Sequence, residues 1–245
     1  MRNAARIRSR VNHEAKVHSL ARHPNIVQLM AVSYAKNSIY LVSEYIDGQN
    51  LEDLIFNDGD SYLSSCNKAS IAKQVSQAVA YLHNLHPSIV HKDIKPANVV
   101  IAQHTHIAKL YDMGLSKLKS SHSVSISEGT VTGTPTYMAP ECLVSNKTAT
   151  LESDVWSLAC TLLELYSEKE VWEAEVADKD PTAAIICSMK KRKPPQSLQY
   201  LDDSLDESNH SVKVIITDCF NYNTDKRPRA IVILNTFSCS DLSQW

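Results

Sequence analysis

Eight consecutive residues, His91-Lys92-Asp93-Ile94-Lys95-Pro96-Ala97-Asn98, bring an acid, two lysines and an amide close together in the chain. Pro96 stiffens the middle of this stretch, because its ring fixes the backbone φ angle. The β-branched run that follows, Val99-Val100-Ile101, is typical of a strand. A carboxylate, an ammonium group and an amide at one end of a strand can handle phosphate and a metal ion together. This stretch is therefore the candidate site for chemistry.

Elements on both sides of the stretch would position it. Apolar side chains at helical spacing predict helices over residues 4–22, 51–56, 70–86, 182–189, 211–220 and 229–237. β-branched and aromatic residues predict strands over residues 26–32, 38–45 and 108–111. From Glu152 onward helices dominate, and the first of these is apolar nearly all round, which implies burial inside a lobe. A small mixed piece followed by a mostly helical lobe is predicted, with a long Ser- and Thr-rich loop over residues 116–136.

The composition excludes several classes of protein. At 245 residues, with 43% hydrophobic and 21% charged residues, the chain can bury a substantial core. Its net charge of −2 gives no global attraction to nucleic acid or to a membrane surface, and no apolar run is long enough to cross a bilayer. The six cysteines are scattered without C-x-x-C spacing, which favours free thiols in a reducing compartment.

Two basic segments bear on localisation. The first ten residues carry four arginines and no acid, as a mitochondrial transit peptide does, but they continue into the first predicted helix and we favour that interpretation. Residues 190–195, Lys-Lys-Arg-Lys-Pro-Pro, resemble a nuclear import signal, although we favour a solvated basic turn after a helix. The predicted compartment is cytoplasmic, with the nucleus as the alternative.

Four further motifs accompany the candidate site in a fixed order. They are Asp112-Met113-Gly114, residues 133–141 ending in Ala-Pro-Glu, Ser153-Asp154-Val155-Trp156-Ser157 and Lys226-Arg227-Pro228. With His91 to Asn98 they resemble the catalytic loop, the D-F-G motif, the A-P-E segment, the anchoring helix and the A-P-E-binding arginine of eukaryotic protein kinases. The resemblance extends from Glu14, which falls where that family has its helix αC glutamate, to Arg227.

The resemblance implies an α+β, protein-kinase-like fold and phosphoryl transfer from ATP to protein. Asp93 would orient the acceptor hydroxyl and accept its proton, and Lys95 would stabilise the transferring phosphoryl charge. Asn98 and Asp112 would hold Mg²⁺ through oxygen ligands. Serine or threonine as the acceptor follows from the resemblance of Lys95 and of Gly133-Thr134 to serine/threonine kinases. Thr134 would hydrogen-bond near Asp93 and Lys95, or serve only as a turn residue.

Residues 40–46 resemble the strand and hinge that receive adenine in this family. Backbone groups of Glu44 and Ile46 would bind the base. Asn50 would reach the ribose or, alternatively, cap the helix that follows it.

Phosphorylation of Thr130 or Thr132 would order the predicted loop through Lys92, although simple solvation of such a loop is the alternative.

The glycine-rich lid and the lysine of the family's third strand have no counterpart upstream of Glu14, since no glycine and no lysine precedes it. We therefore predict a truncated upper lobe (helix αC and two strands) in residues 1–45, and the hinge with a complete, mainly helical lower lobe in residues 46–245. We favour a fragment or truncated form of an active kinase over a catalytically silent scaffold that binds protein partners. The chain alone is expected to turn over ATP slowly.

Overall fold

The computed structural model describes residues 15, 18–35, 38–57, 63–112, 117–118, 134–173, 180–201 and 210–239. Of the helix predicted over residues 4–22, only residues 15 and 18–20 are described as helical, and Glu14 lies outside the described residues. The predicted loop over 116–136 is described only at residues 117–118 and 134–136, so Thr130 and Thr132 lie outside as well.

The described α-helices lie mostly in the second half of the chain. They are α1 (Leu51–Phe56), α2 (Ser65–Asn84), α3 (Pro140–Leu143), α4 (Leu151–Ser167), α5 (Pro181–Lys190), α6 (His210–Cys219) and α7 (Ala230–Cys239). Short 3₁₀ turns cover Pro96–Asn98, Pro135–Tyr137, Gln196–Tyr200 and Thr224–Lys226. The strands are β1 (Leu29–Tyr34), β2 (Ile39–Ser43), β3 (Gly48–Asn50), β4 (Ile89–Val90), β5 (Val99–Ala102), β6 (Ala108–Leu110) and β7 (Lys117–Leu118).

The strands of the described part of the chain form three small antiparallel sheets. β1 pairs with β2, from Leu29 opposite Ser43 to Tyr34 opposite Ile39, which confirms the predicted strand pair. The second sheet has the order β3-β5-β6, and β4 pairs with β7. In the second sheet Gly48 lies so close to β5 that a Cβ atom would be 2.0 Å from the carbonyl oxygen of Ile101. Only glycine fits there, so Gly48 allows the close approach of β3 to β5.

The predicted and observed elements differ where the sequence pattern is short or polar. Helix α2 begins at Ser65, five residues before the predicted start, where the side chain of Ser64 accepts a hydrogen bond from the backbone N–H of Asn67. Residues 65–69 carry too few apolar side chains to show helical spacing. The strands β3, β4 and β7 have three, two and two residues. Strands of that length are too short to show alternation, and β7 lies inside the predicted loop.

Helix α4 is the centre of the helical lobe. Its residues from Ser153 to Tyr166 are all buried, which confirms the prediction of a helix enclosed on every side. It packs against α2 and α6, and the fully buried Trp156 makes edge contacts with the rings of Phe220 and Tyr222. The motif that resembled an anchoring helix is therefore the buried start of α4.

A buried ion pair ties the A-P-E segment to this lobe. The guanidinium of Arg227 donates to both carboxylate oxygens of Glu141, at 2.7 and 2.8 Å, and also to the backbone carbonyls of Asn221 and Glu152. It lies 5.1 Å from the ring centre of Trp156. Burial by itself would raise the pKa of Glu141, but the hydrogen bond and the charge of Arg227 lower it more. The pair is thus ionised at neutral pH.

The β1–β2 sheet is joined to the β3-β5-β6 sheet by several contacts. The backbone N–H of Val27, two residues before β1, donates to the carbonyl of Leu110 in β6 at 2.9 Å. The carbonyl of Val27 in turn accepts from Nε2 of the buried His18 at 2.6 Å, which holds the same segment in place. The side chain of Lys109 reaches Glu44 at 2.7 Å. The predicted boundary between the upper lobe (residues 1–45) and the hinge with the lower lobe (residues 46–245) stays a prediction.

The predicted free thiols are present at the four cysteines whose side chains are described, Cys142, Cys160, Cys187 and Cys219. Among the described residues, no helix is both long enough and apolar enough to span a membrane.

Helix α4 also buries the carboxyl group of Glu164. Its two oxygens accept hydrogen bonds from the hydroxyl of Tyr137 and the backbone N–H of Val171, both at 2.9 Å. Burial raises the pKa of Glu164 to about 7, because these two donors do not replace the lost hydration.

Because this carboxyl pKa is raised, its contribution to stability is present below the unfolded pKa and is lost as the pH rises through the folded value. We expect Glu164→Gln to raise the free energy of unfolding by about 3 kcal/mol near pH 8 and by no more than about 1 kcal/mol near pH 5. Glutamine can accept from Val171 and donate to Tyr137. Urea denaturation at the two pH values measures the effect, with the exposed Glu173→Gln as the control. A pH-independent difference would contradict the expectation.

Candidate active site

The side chains of Asp93, Lys95, Asn98 and Thr134 meet in one cluster. Lys95 Nζ lies 3.0 Å from Asp93 Oδ2 and donates to Thr134 Oγ1 at 2.6 Å. The hydroxyl of Thr134 donates to Asp93 Oδ1 at 3.2 Å. The hydrogen bond predicted for Thr134 is thus present, and Thr134 is more than a turn residue. It brings the segment before α3 against the stretch from His91 to Asn98, since Thr134 and Asp93 are 41 positions apart in the chain.

Asn98 closes the cluster from the end of the 3₁₀ turn. Its amide nitrogen donates to the backbone carbonyl of Asp93 at 2.8 Å and to Asp93 Oδ2 at 2.9 Å. Both residues are buried. The two donated bonds use the amide nitrogen, so the amide oxygen is the atom of Asn98 suited to a cation.

The charge state of Asp93 follows from these contacts. Burial alone would raise the pKa of Asp93, but the hydrogen bond and charge of Lys95 lower it more, with further help from Asn98 and Thr134. The net shift is downward, so Asp93 is a carboxylate throughout the neutral range. An ionised carboxylate can accept a hydrogen bond from a substrate hydroxyl.

The backbone before Asp93 is held by Asp154 of helix α4. The carboxylate of Asp154 accepts from the backbone N–H groups of His91 and Lys92, each at 2.8 Å, and contacts Nε2 of His83 at 3.0 Å. Lys92 has a φ of 74°, a left-handed conformation that is costly for a residue with a side chain. The buried carboxylate of Asp154 offsets that cost, because it accepts hydrogen bonds from the backbone N–H groups of both His91 and Lys92.

Asp112 is brought beside Asn98 by the chain between them. The backbone N–H of Tyr111 donates to the carbonyl of Asn98 at 3.0 Å, and the phenol of Tyr111 donates to the carbonyl of Ala97. Asp112 itself is exposed and has a φ of 63°. Amide and carboxylate oxygens are the ligand type that a hard cation such as Mg²⁺ prefers, and binding of Mg²⁺ by Asn98 and Asp112 stays a prediction. Met113 and Gly114 lie outside the described residues.

Some of the groups that were predicted to bind the nucleotide make contacts within the protein. The carboxylate of Glu44 binds Lys109 at 2.7 and 2.9 Å, and its backbone N–H donates to Gln28. Its carbonyl oxygen is the backbone group that remains for a base. The side chain of Asn50 accepts from the backbone N–H of Asp53 at 2.8 Å, so it caps α1 as in the alternative interpretation. Contacts of Glu44, Ile46 and Asn50 with a nucleotide stay predictions.

Sequence reasoning missed His83, Lys109 and Tyr111. His83 lies in a segment whose helical spacing predicted only the apolar side of the helix and gave no role to its polar residues. Its contact with Asp154 joins residues 71 positions apart. Lys109 and Glu44 are separated by 65 positions. Tyr111 was predicted as strand, although it directly precedes Asp112, and that adjacency was a usable signal.

Comparison with known proteins places the chain in a family. Residues 2–237 match the family described as the protein kinase domain. The chain therefore belongs to the protein kinase family, which confirms the resemblance and the predicted fold class.

Similar proteins include several plant and animal kinases. Serine/threonine-protein kinase CTR1 of Arabidopsis thaliana is 31% identical over 223 residues, which is 91% of this chain and 25% of the relative. Serine/threonine-protein kinase Nek8 of Danio rerio is 30% identical over 93% of this chain and 30% of its own length. Mitogen-activated protein kinase kinase kinase 3 of Arabidopsis thaliana is 29% identical, over 91% and 34% respectively. The chain thus spans about a quarter to a third of the length of the relatives it matches.

Proposed function

We propose that the chain is a protein serine/threonine kinase domain, which transfers a phosphoryl group from ATP to serine or threonine hydroxyls of a protein substrate. The observation that carries the proposal is the cluster in which Lys95 and Thr134 both contact the ionised Asp93. The similarity to proteins named serine/threonine-protein kinases supports the acceptor class.

The residues of the cluster have separate roles in this proposal. Asp93 accepts the hydrogen bond of the acceptor hydroxyl, orients its oxygen and takes its proton. Lys95 places a positive charge beside that oxygen and offsets negative charge that develops during transfer. Thr134 holds the substrate-facing segment against both groups. Asp154 keeps the loop backbone in the strained form that presents them.

ATP supplies the phosphoryl group when bound, and Mg²⁺ offsets the charge of its phosphates. The amide oxygen of Asn98 and the carboxylate of Asp112 would hold the cation. Backbone groups of Glu44 and Ile46 would bind adenine. Asn50 would reach the ribose only by adding that contact to its capping of α1.

The alternative function is a catalytically silent scaffold. The intact set of Asp93, Lys95, Asn98 and Asp112 opposes it, because a scaffold has no chemical need for all four.

We also propose the cytoplasm as the compartment, since three of the four described free thiols are buried and unpaired as in proteins of reducing compartments. The nucleus remains the alternative.

The test is transfer of labelled γ-phosphate from ATP to a mixture of serine, threonine and tyrosine peptides, followed by phosphoamino acid analysis. The chain and the longest reading frame that contains it are assayed in parallel, which also measures the slow turnover expected of the chain alone. Label on phosphoserine or phosphothreonine that requires Mg²⁺ is the expected result. Label confined to phosphotyrosine, or no transfer and no thermal stabilisation by ATP with Mg²⁺ in either form, would contradict the proposal.

A further inference from the structure

Four consecutive basic residues lie at the C-terminal end of helix α5. The first of them is the last residue of the helix, and the other three follow it. These residues, Lys190, Lys191, Arg192 and Lys193, form what we call the basic turn, and all four are exposed. None of them takes part in an ion pair with another of the described residues. The net charge of the chain is −2, so this positive patch is a local feature.

The basic turn has a fixed backbone. Arg192 is in the left-handed conformation, with a φ of 53°, and its N–H donates to the carbonyl of Met189 at 2.9 Å. The N–H groups of Lys191 and Lys193 both donate to the carbonyl of Ser188 at 3.1 Å. The hydroxyl of Tyr222 donates to the carbonyl of Lys193 at 2.7 Å, which ties the turn to the loop before Arg227.

This fixed backbone keeps like charges together. The C-terminus of a helix carries a partial negative charge of about half an elementary charge, which attracts nearby cations. This partial charge cannot balance the four positive charges of the basic turn. The repulsion that remains is relieved when an anionic group binds. A frayed helix end would relieve it by spreading the side chains apart, and the hydrogen bonds of the turn oppose that.

The basic turn is connected to the proposed active site through helix α5. This helix packs against the 3₁₀ turn Pro135–Tyr137, which directly follows Thr134. Ten residues of α-helix extend about 15 Å. The basic turn thus lies within about one length of this helix from the contact with Pro135–Tyr137, a separation that an extended spacer of about five residues covers.

We propose that the basic turn is a docking site for an acidic segment of the protein substrate, separate from the serine or threonine that is phosphorylated. This inference rests on the proposed kinase function. An acidic polypeptide fits better than an anionic membrane. The apolar side chains of Met189, directly before the basic turn, and of Pro195, two residues after it, are buried. Stable attachment to a membrane needs an apolar anchor in addition to basic residues.

Binding is tested first, without catalysis. A fluorescein-labelled octaglutamate peptide is titrated with the chain and followed by fluorescence anisotropy. The variant Lys191→Gln/Arg192→Gln/Lys193→Gln is expected to bind about tenfold more weakly, because it loses three exposed ion pairs. The control Lys147→Gln/Lys169→Gln/Lys226→Gln removes the same charge from scattered exposed positions and is expected to bind as the wild type does. Asp93→Asn is also expected to bind normally.

Catalysis is tested next, in the form of the protein that phosphorylates peptides. Substrate peptides carry one acceptor segment, a neutral spacer of about six or about twelve residues, and a tail of either glutamate or glutamine. The glutamate tail is expected to lower KM at least about fivefold without changing kcat. The triple variant of the basic turn abolishes that difference, and the scattered control preserves it.

The outcomes separate this inference from the proposed function. Phosphorylation without any preference for the glutamate tail, or equal loss of binding in both triple variants, overturns the docking site and leaves the kinase assignment intact. Binding of octaglutamate by the basic turn without phosphoryl transfer supports an acidic-peptide site and counts against the kinase assignment. Binding to phosphatidylserine vesicles that requires the basic turn, with no binding of octaglutamate, overturns the inference in favour of a membrane site.

Discussion

Asp93→Asn is expected to lower kcat for peptide phosphorylation by about a hundredfold to ten-thousandfold, the usual contribution of a positioned general base. Asparagine keeps the size of the side chain and can still accept from Asn98. It loses the negative charge that pairs with Lys95 at 3.0 Å, and it cannot take the proton of the acceptor hydroxyl. Initial rates at saturating ATP and peptide measure the effect.

The control is Asp225→Asn, which removes a carboxylate from an exposed position in the 3₁₀ turn before Arg227. It is expected to leave kcat within about twofold of the wild type, because surface substitutions of this kind change little. The thermal midpoint of each variant shows whether it is folded. A folded Asp93→Asn protein that retains more than a tenth of the wild-type kcat would show that Asp93 is not the general base.

The largest effect on stability is expected at Arg227. Its side chain is fully buried, and that of Glu141 is 13% exposed. Arg227→Ala leaves the carboxylate of Glu141 without its cation and two backbone carbonyls without their donor. We expect the free energy of unfolding to fall by about 3–5 kcal/mol, the range for removal of one partner from a buried ion pair. Urea denaturation near pH 7 measures it.

Four further variants, one of them the single variant Glu141→Gln, show whether the loss belongs to the ion pair. Arg227→Lys keeps the charge but cannot make the paired hydrogen bonds, so we expect an intermediate loss. The double variant Glu141→Gln/Arg227→Ala is expected to lose less than the two single variants added together, because no unpaired charge remains. Lys226→Ala, at the exposed neighbouring position, is the control. A similar small loss for Arg227→Ala and Lys226→Ala would contradict the structural role of the pair.

Local patterns in the sequence determined much of the fold. The candidate loop needs only eight neighbouring residues, His91 to Asn98, so its chemistry is visible without a structure. Helix α4 carries apolar side chains nearly all round, and this composition within one segment predicted both the helix and its burial. The strand pair β1–β2 and the bounds of α1 followed in the same way, because alternation, turn residues and helical spacing are properties of consecutive residues.

Contacts between distant residues were decided only by the tertiary structure. The sequence does not show that Asp154 binds the backbone of His91 and Lys92, since 63 and 62 residues separate them. The two-residue strands β4 and β7 exist only because each pairs with the other.

The catalytic loop shows the division most clearly. Its residue types are a property of the sequence, and they predicted which groups would face a substrate. The surroundings of the Asp93 carboxylate are a property of the fold, because the contact with Thr134 crosses 41 positions and the burial comes from the surrounding lobe. Its ionised state is due mainly to Lys95, two residues away, which outweighs that burial. Side-chain chemistry is local, whereas burial and pairing depend on which distant segments the chain brings together.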